Sequence, residues 1–124
     1  MIKQLLLIFI GGGLGSCLRF LFSVWMNSAQ LKWLPTLLVN GLGCLMLGFC
    51  FALFHKNELS PSSYALLGIG FCGGLTTFST FSLDLFQLIR NGDHMGGLMY
   101  VGVTLILGYA CFYAAYSFTK QFVS

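Results

Sequence analysis

Charge is what this sequence has least of. Only 7% of its 124 residues are Asp, Glu, Lys or Arg, six basic and three acidic, where a soluble domain carries roughly a quarter. So few charges cannot coat the surface of a water-soluble domain. The scarcity excludes an ordinary soluble enzyme, a basic nucleic-acid-binding face and a disordered chain. The net charge of +3 is also too small for a polybasic lipid patch. Cysteine pattern is missing too. Cys17, Cys44, Cys50, Cys72 and Cys111 all lie in apolar stretches without CxxC or zinc-finger spacing, and so read as small buried hydrophobes. Enzyme motifs are absent: Gly11-Gly12-Gly13-Leu14-Gly15 does not complete GxGxxG and follows no strand, and there is no HExxH, GxSxG or Walker A sequence. His55 and His94 are isolated residues expected in loops, and the three acids show no helical pairing for acid–base work.

Apolar sequence is abundant instead, 57% of residues with a mean hydropathy of +0.88. A helical span takes about 20 residues, so four spans use about 80 and leave only short connections. The expected fold is an all-α membrane protein with one membrane domain over residues 1–124 and spans at about 4–26, 36–54, 64–90 and 97–118. The first span begins like a signal peptide, but its apolar run continues through Leu18, Phe20, Leu21, Phe22, Val24 and Trp25, which favours a retained helix with Trp25 near an interface. Pro35 suits the start of the second span, and Ser60-Pro61-Ser62-Ser63 reads as an N-cap opening the third.

The third segment is long. Fully helical, residues 64–90 would run about 40 Å, beyond a hydrocarbon core of about 30 Å. Within it, Gly73-Gly74-Leu75-Thr76-Thr77 predicts an interruption, which a bilayer tolerates only where protein or a cavity satisfies the freed backbone groups. These spans put Lys3, Lys56 and Lys120 on one side and Lys32 and Arg90 on the other, with Arg19 in the half of the first span nearest the latter. So weak a bias either permits insertion in both orientations or leaves a small margin to decide. Four helices are few for enclosing a transport path, and a second copy is the natural remedy. Gly11xxxGly15 and Gly70xxxGly74 offer small-residue faces for close helix contact.

Three sets of residues could carry chemistry. Arg19 is a charge inside an apolar run, placed either to face a path or to snorkel to the surface; either way its field attracts anions. Asn40 offers two donors and an acceptor, for a path or for an interhelical hydrogen bond. Thr76-Thr77-Phe78-Ser79-Thr80-Phe81-Ser82 repeats Thr-Phe-Ser. On a helix, spacing by three aligns Phe78 with Phe81, Ser79 with Ser82 and Thr77 with Thr80. Hydroxyls can donate to an anion, and aromatic ring edges carry partial positive charge. The alternative is a packing stripe whose hydroxyls bond back to helix carbonyls. Asp84 lies near the end of this span, where it reaches the interface, pairs with a base or lines a vestibule.

Taken together these residues resemble the CrcB family of fluoride channels, also called Fluc. The resemblance covers the whole chain and is most specific in Gly70-Phe-Cys-Gly-Gly-Leu-Thr-Thr-Phe-Ser-Thr-Phe-Ser82, supported by Gly11-Gly-Gly-Leu-Gly-Ser16 leading to Arg19 and by Thr36-Leu-Leu-Val-Asn40. It implies a dual-topology antiparallel homodimer in the bacterial cytoplasmic (inner) membrane, with two pores that pass fluoride passively, exclude chloride and export toxic fluoride. Its partners would be fluoride, the lipid bilayer and a second copy, with no nucleic acid. By the same resemblance, Asn40, Phe78, Phe81, Thr80 and Ser82 are pore residues and Arg19 belongs to a vestibule. Backbone carbonyls of Gly73 and Thr76 would hold a structural, non-transported sodium ion. The family often carries a serine in the fourth span where Gly108 stands here; Thr104, one turn earlier, matches another polar pore position.

Two other readings compete. A small multidrug-type proton-coupled transporter is also a short four-helix dimer, but it needs a membrane-embedded carboxylate, usually in the first span, which here holds Arg19. A non-transporting membrane subunit explains four helices and small-residue faces, but not a Thr-Phe-Ser repeat beside a glycine pair.

Overall fold

The structure, a computed structural model, describes residues 1–123. Helix α1 runs Ile2–Trp25 and α2 runs Leu34–His55, with Pro35 in its first turn. Ser60 caps the next helix, accepting from the Ser63 amide at 3.1 Å. This rod, α3, covers residues 61–75: an α-turn Pro61–Tyr64, a π-helical stretch Ala65–Cys72 and a last α-turn Gly73–Leu75. After Thr76 and Thr77, α4 runs Phe78–Arg90. Gly92, at φ 83°, turns the chain, and Asp93 caps α5, His94–Phe122, by accepting from the Gly96 amide at 2.8 Å. Among the described residues there is no strand.

Four segments are long and apolar enough to cross a membrane: Ile2–Trp25, Leu34–His55, Pro61–Arg90 and His94–Phe122. The chain is an integral, multi-pass membrane protein. Helices α2 and α5 extend beyond the expected spans at both ends, the third segment starts three residues earlier at the Ser60 cap, and α1 runs Ile2–Trp25 against an expected 4–26. His55 and His94 therefore close α2 and open α5 rather than lying in loops, and Lys120 falls in the last turn of α5. The interruption falls within the predicted stretch Gly73–Thr77, at its C-terminal end. Gly73 and Gly74 remain helical, and the extended residues are Thr76 (φ −78°, ψ 153°) and Thr77 (φ −152°, ψ 123°).

Helix α1 packs on α3, and α2 packs on α5. The glycine faces of α1 and α3 meet each other within one protomer. A Cβ on Gly11 would strike the Leu66 carbonyl, one on Gly15 the Phe71 carbonyl, and one on Gly74 the Gly12 backbone. These faces are thus spent inside the chain rather than left free for a second copy. Helix α2 uses Gly48 in the same way against the Phe112 backbone. Few large side chains are buried outright, with Tyr100, Leu75, Val39 and Cys72 the largest, while Phe9, Leu105 and Ile106 stand open. Apolar exposure on this scale suits hydrocarbon, where backbone proximity and van der Waals packing hold helices together.

Close backbone approach makes glycine identity testable. Gly11→Ala and Gly15→Ala should each lower stability by about 1–3 kcal/mol, read as an earlier thermal midpoint of detergent-purified protein. Gly13 has nothing within 4 Å of a built Cβ, so Gly13→Ala should be neutral or raise stability by up to about 1 kcal/mol. Equal effects at Gly11 and Gly13 would contradict the packing described.

Candidate functional site

The site is built around the break between α3 and α4. In an unbroken helix the carbonyls of residues 73 to 76 would accept from the amides of residues 77 to 80. Here those amides are redirected. The Thr77 amide donates to Asn40 Oδ1 at 2.7 Å, and the Thr80 amide donates to Thr77 Oγ1 at 3.1 Å as the N-cap bond of α4. The carbonyls of Gly73 and Thr76 thereby lose their helical partners. The Gly74 carbonyl instead accepts from Arg19 Nε at 3.1 Å and from Ser16 Oγ at 3.3 Å. On the other side, Asn40 Nδ2 donates to the Thr77 carbonyl at 3.2 Å. One carboxamide thus pairs both backbone groups of Thr77. It still has one N–H and one acceptor lone pair uncommitted.

The conformation is local in origin. Thr77 is extended because its hydroxyl must fold back over the first turn of α4 to cap it. The same hydroxyl donates to Thr80 Oγ1 at 3.2 Å and lies 3.1 Å from Ser79 Oγ. Thr76 turns its hydroxyl to the Cys72 carbonyl at 2.9 Å, and its methyl group occupies the space that Gly43 leaves open.

Beside the break lies a groove of about 750 Å³ whose walls include Asn40, Gly73, Thr76, Thr77, Phe78, Phe81, Thr104 and Gly108. The two phenylalanine rings sit 5.6 Å apart, tilted by 39°. They are not equivalent: Phe78 is 79% exposed and Phe81 only 9%. Phe81 is held by Tyr100, whose ring centroid is 5.0 Å away and whose far side meets Trp33, also at 5.0 Å. Tyr100 in turn donates its hydroxyl to Asp84 Oδ2 at 3.1 Å. Thr104 Oγ1 is the only buried side-chain N or O atom without a hydrogen-bond partner among the described residues. The residue lines the groove, but the hydroxyl oxygen itself is covered and would reach an occupant only by rotating.

Arg19 and Thr80 face a separate, smaller cavity of about 150 Å³ with Ser23, Thr36 and Thr77. Thr80 and Thr36 also line an outer cavity of about 400 Å³ whose mouth carries Lys32 and Asp84. The two cavities share Ser23, Pro35, Thr36 and Thr80, and Thr77 lines both the smaller cavity and the groove. Ser82 lines neither; its hydroxyl donates to the Phe78 carbonyl at 2.9 Å. Of the two expected hydroxyl alignments, Thr77–Thr80 forms and Ser79–Ser82 makes no hydrogen bond. Sequence reasoning passes over Ser16 and Tyr100. Each had a signal: Ser16 stands three residues before Arg19 on one helix face, and Tyr100 shares the face of Thr104 and Gly108 at spacings of four.

Comparison with known proteins adds a second line of support. Residues 6–116 match the family described as CrcB-like protein, Camphor Resistance (CrcB). A protein of Azobacteroides pseudotrichonymphae genomovar. CFP2 named fluoride-specific ion channel FluC is 38% identical over 125 residues, covering 98% of this chain and all of the relative. One of the same name from Serratia proteamaculans (strain 568) is 46% identical over 101 residues, 79% of each chain. Fluoride-specific ion channel FluC 1 of Yersinia pseudotuberculosis is 43% identical over 113 residues, 89% of this chain and 85% of the relative.

The Asn40 bridge yields a direct expectation. Asn40→Ala leaves the Thr77 amide and carbonyl unpaired in a medium poor in water, at a cost of about 1–3 kcal/mol per group. The purified variant should melt earlier and exchange the Thr77 amide proton faster in hydrogen–deuterium mass spectrometry. Unchanged exchange across residues 76–80 would show that the bridge does not hold the break.

Proposed function

The chain belongs to the CrcB family, and from that premise we propose that it is a fluoride-selective passive channel that lets toxic fluoride leave the cytoplasm and excludes chloride. The observation that carries this reading is the groove where Asn40, Phe78, Phe81 and the unpartnered Thr104 hydroxyl converge beside a broken helix. Fluoride is small and strongly hydrated, so a path must replace its water with donors. The spare Asn40 N–H, the Thr104 hydroxyl and the edges of two phenylalanine rings supply these without a buried ammonium or guanidinium that would trap the ion. Thr80 and Arg19 line the neighbouring polar cavity, where the positive field of Arg19 concentrates anions before they reach the donors. The Ser82 hydroxyl would join the path only by rotating away from the Phe78 carbonyl.

One protomer leaves the groove open on its outer side, so the complete path requires a second copy. The weak charge bias between the two ends suits an antiparallel homodimer of dual topology in the inner membrane, with one pore along each groove. Gly73, exposed at the groove, and Thr76 have carbonyls deprived of helical donors. Backbone oxygens of this kind suit a hard cation, and a pair from each of two protomers would hold a structural sodium ion at the axis. When bound, that ion would neutralise the converging carbonyl dipoles. Within the chain itself, Asn40 and Thr77 take the amides that would otherwise pair with those carbonyls. A proton-coupled exporter reading has less support: Asp84, the only carboxylate deep enough to serve, is occupied by the Tyr100 hydroxyl near a helix end.

Fluoride-electrode efflux from proteoliposomes, with chloride as control, tests the proposal. Fast fluoride release without chloride release is expected, and Phe81→Ile should slow it by about tenfold. Thr104→Val separates function from fold. Removing an orphaned buried hydroxyl should leave stability unchanged or raise it by about 1 kcal/mol or more, yet lower fluoride flux. Well-folded dimeric protein that releases no fluoride would overturn the channel reading.

A further inference from the structure

We propose that Arg19 is a positioning residue for the helix break, acting through a directional cap on the Gly74 carbonyl as well as through its charge. Ser16 and Arg19 lie three residues apart on one face of α1, and both donate to that single oxygen, at 3.3 Å and 3.1 Å. They can reach it because α1 and α3 touch backbone to backbone there, with Gly12 against Gly74. The Gly74 carbonyl lies between those of Gly73 and Thr76 along the chain. Drawing it toward α1 fixes the peptide plane shared with Leu75. That in turn constrains which way the two flanking carbonyls point. The Arg19 cap and the Asn40 bridge grip either side of the break, Gly74 in the last helical turn of α3 from α1 and the extended Thr77 from α2. A guanidinium suits this task better than an ammonium, because its Nε–H has a fixed direction while the rest of the fork stays free to face the cavity it shares with Thr77 and Thr80.

This inference rests on the reading that Gly73 and Thr76 carbonyls hold a sodium ion, and its test separates the two. Arg19→Lys keeps the charge and removes the directional Nε donor; Ser16→Ala removes the second donor and is the milder change should Arg19→Lys fail to fold. The readouts are sodium-dependent thermal stabilisation of purified protein and deuterium exchange of residues 73–80. In Arg19→Lys, half-maximal stabilisation should need about tenfold more sodium, the equivalent of one charge-assisted hydrogen bond, and exchange at the break should quicken. Ser16→Ala should shift both in the same direction by less. If Arg19→Lys matches wild type in sodium response and in exchange while Arg19→Gln loses only fluoride flux at low ionic strength, Arg19 acts by charge alone and the positioning role is wrong. If wild type shows no sodium response at all, the sodium reading falls instead. Exchange at residues 73–80 then decides the cap by itself, faster in Arg19→Lys supporting it and equal rates overturning it.

Discussion

Everything around the site follows from one constraint: a helix that stops inside a bilayer leaves backbone amides and carbonyls with no water to receive them. Each such group costs on the order of a few kcal/mol if left unpaired. The break at Thr76–Thr77 frees four carbonyls and redirects amides that would have served them. The chain answers with side chains from three different elements. Asn40 of α2 pairs both groups of Thr77, Arg19 and Ser16 of α1 take the Gly74 carbonyl, and the Thr77 hydroxyl caps α4. Polar side chains of this membrane protein gather where the backbone is irregular, and that coincidence puts polar atoms on the walls of the groove and the neighbouring cavity.

Glycine makes the answer reachable. Arg19 can donate to Gly74 only because Gly11, Gly12, Gly15, Gly70 and Gly74 let α1 and α3 approach to backbone contact. Side chains of ordinary size would hold the axes 8–10 Å apart, and the Arg19 Nε, near the root of its guanidinium, would fall short of a backbone oxygen. Gly43 plays the matching part on α2, leaving room for the Thr76 methyl so that Asn40, one turn earlier, sits level with Thr77. The π-helical stretch Ala65–Cys72 belongs to the same face. A wider turn there carries the glycines of α3 along α1 before the rod ends.

Much of this was legible in the sequence, and the limits have physical causes. Hydropathy and length gave four spans because a membrane imposes both. The excess length of residues 64–90 together with two glycines and two threonines pointed to an interruption. The break falls inside that stretch, at its threonines rather than its glycines. Gly74 is there for close packing against Gly12, Gly73 stands in open space with helical dihedrals, and an extended conformation needs no glycine. What breaks the helix is the competition of the Thr77 hydroxyl and the Asn40 carboxamide for amides that would otherwise propagate it. Asn40 lies 37 residues from Thr77, and no local pattern announces that pairing. The same holds for Phe81. A spacing of three puts it on one helix face with Phe78, but only Phe81 packs on Tyr100 of α5.

The double use of polar groups changes how losses of function must be interpreted. Asn40 spends an acceptor and a donor on Thr77 and keeps one N–H for whatever occupies the groove. An Asn40 variant therefore removes a ligand donor and loosens the break at once, and a flux measurement alone cannot divide the two. Thr104 is the opposite case. Its hydroxyl contributes nothing to the fold and stands unpaired at the groove wall, so an effect on transport there reports on the path itself. Between these extremes lies Arg19, with one nitrogen committed to Gly74 and a charge that acts at a distance. A narrow path in a low-dielectric medium can afford few polar atoms, and those it has must hold the backbone in place as well as meet the ion. In the channel we propose, the rigidity of the donors and the stability of the broken helix would then be one property. A looser break would admit an anion of the wrong size for the same reason that it would cost folding energy.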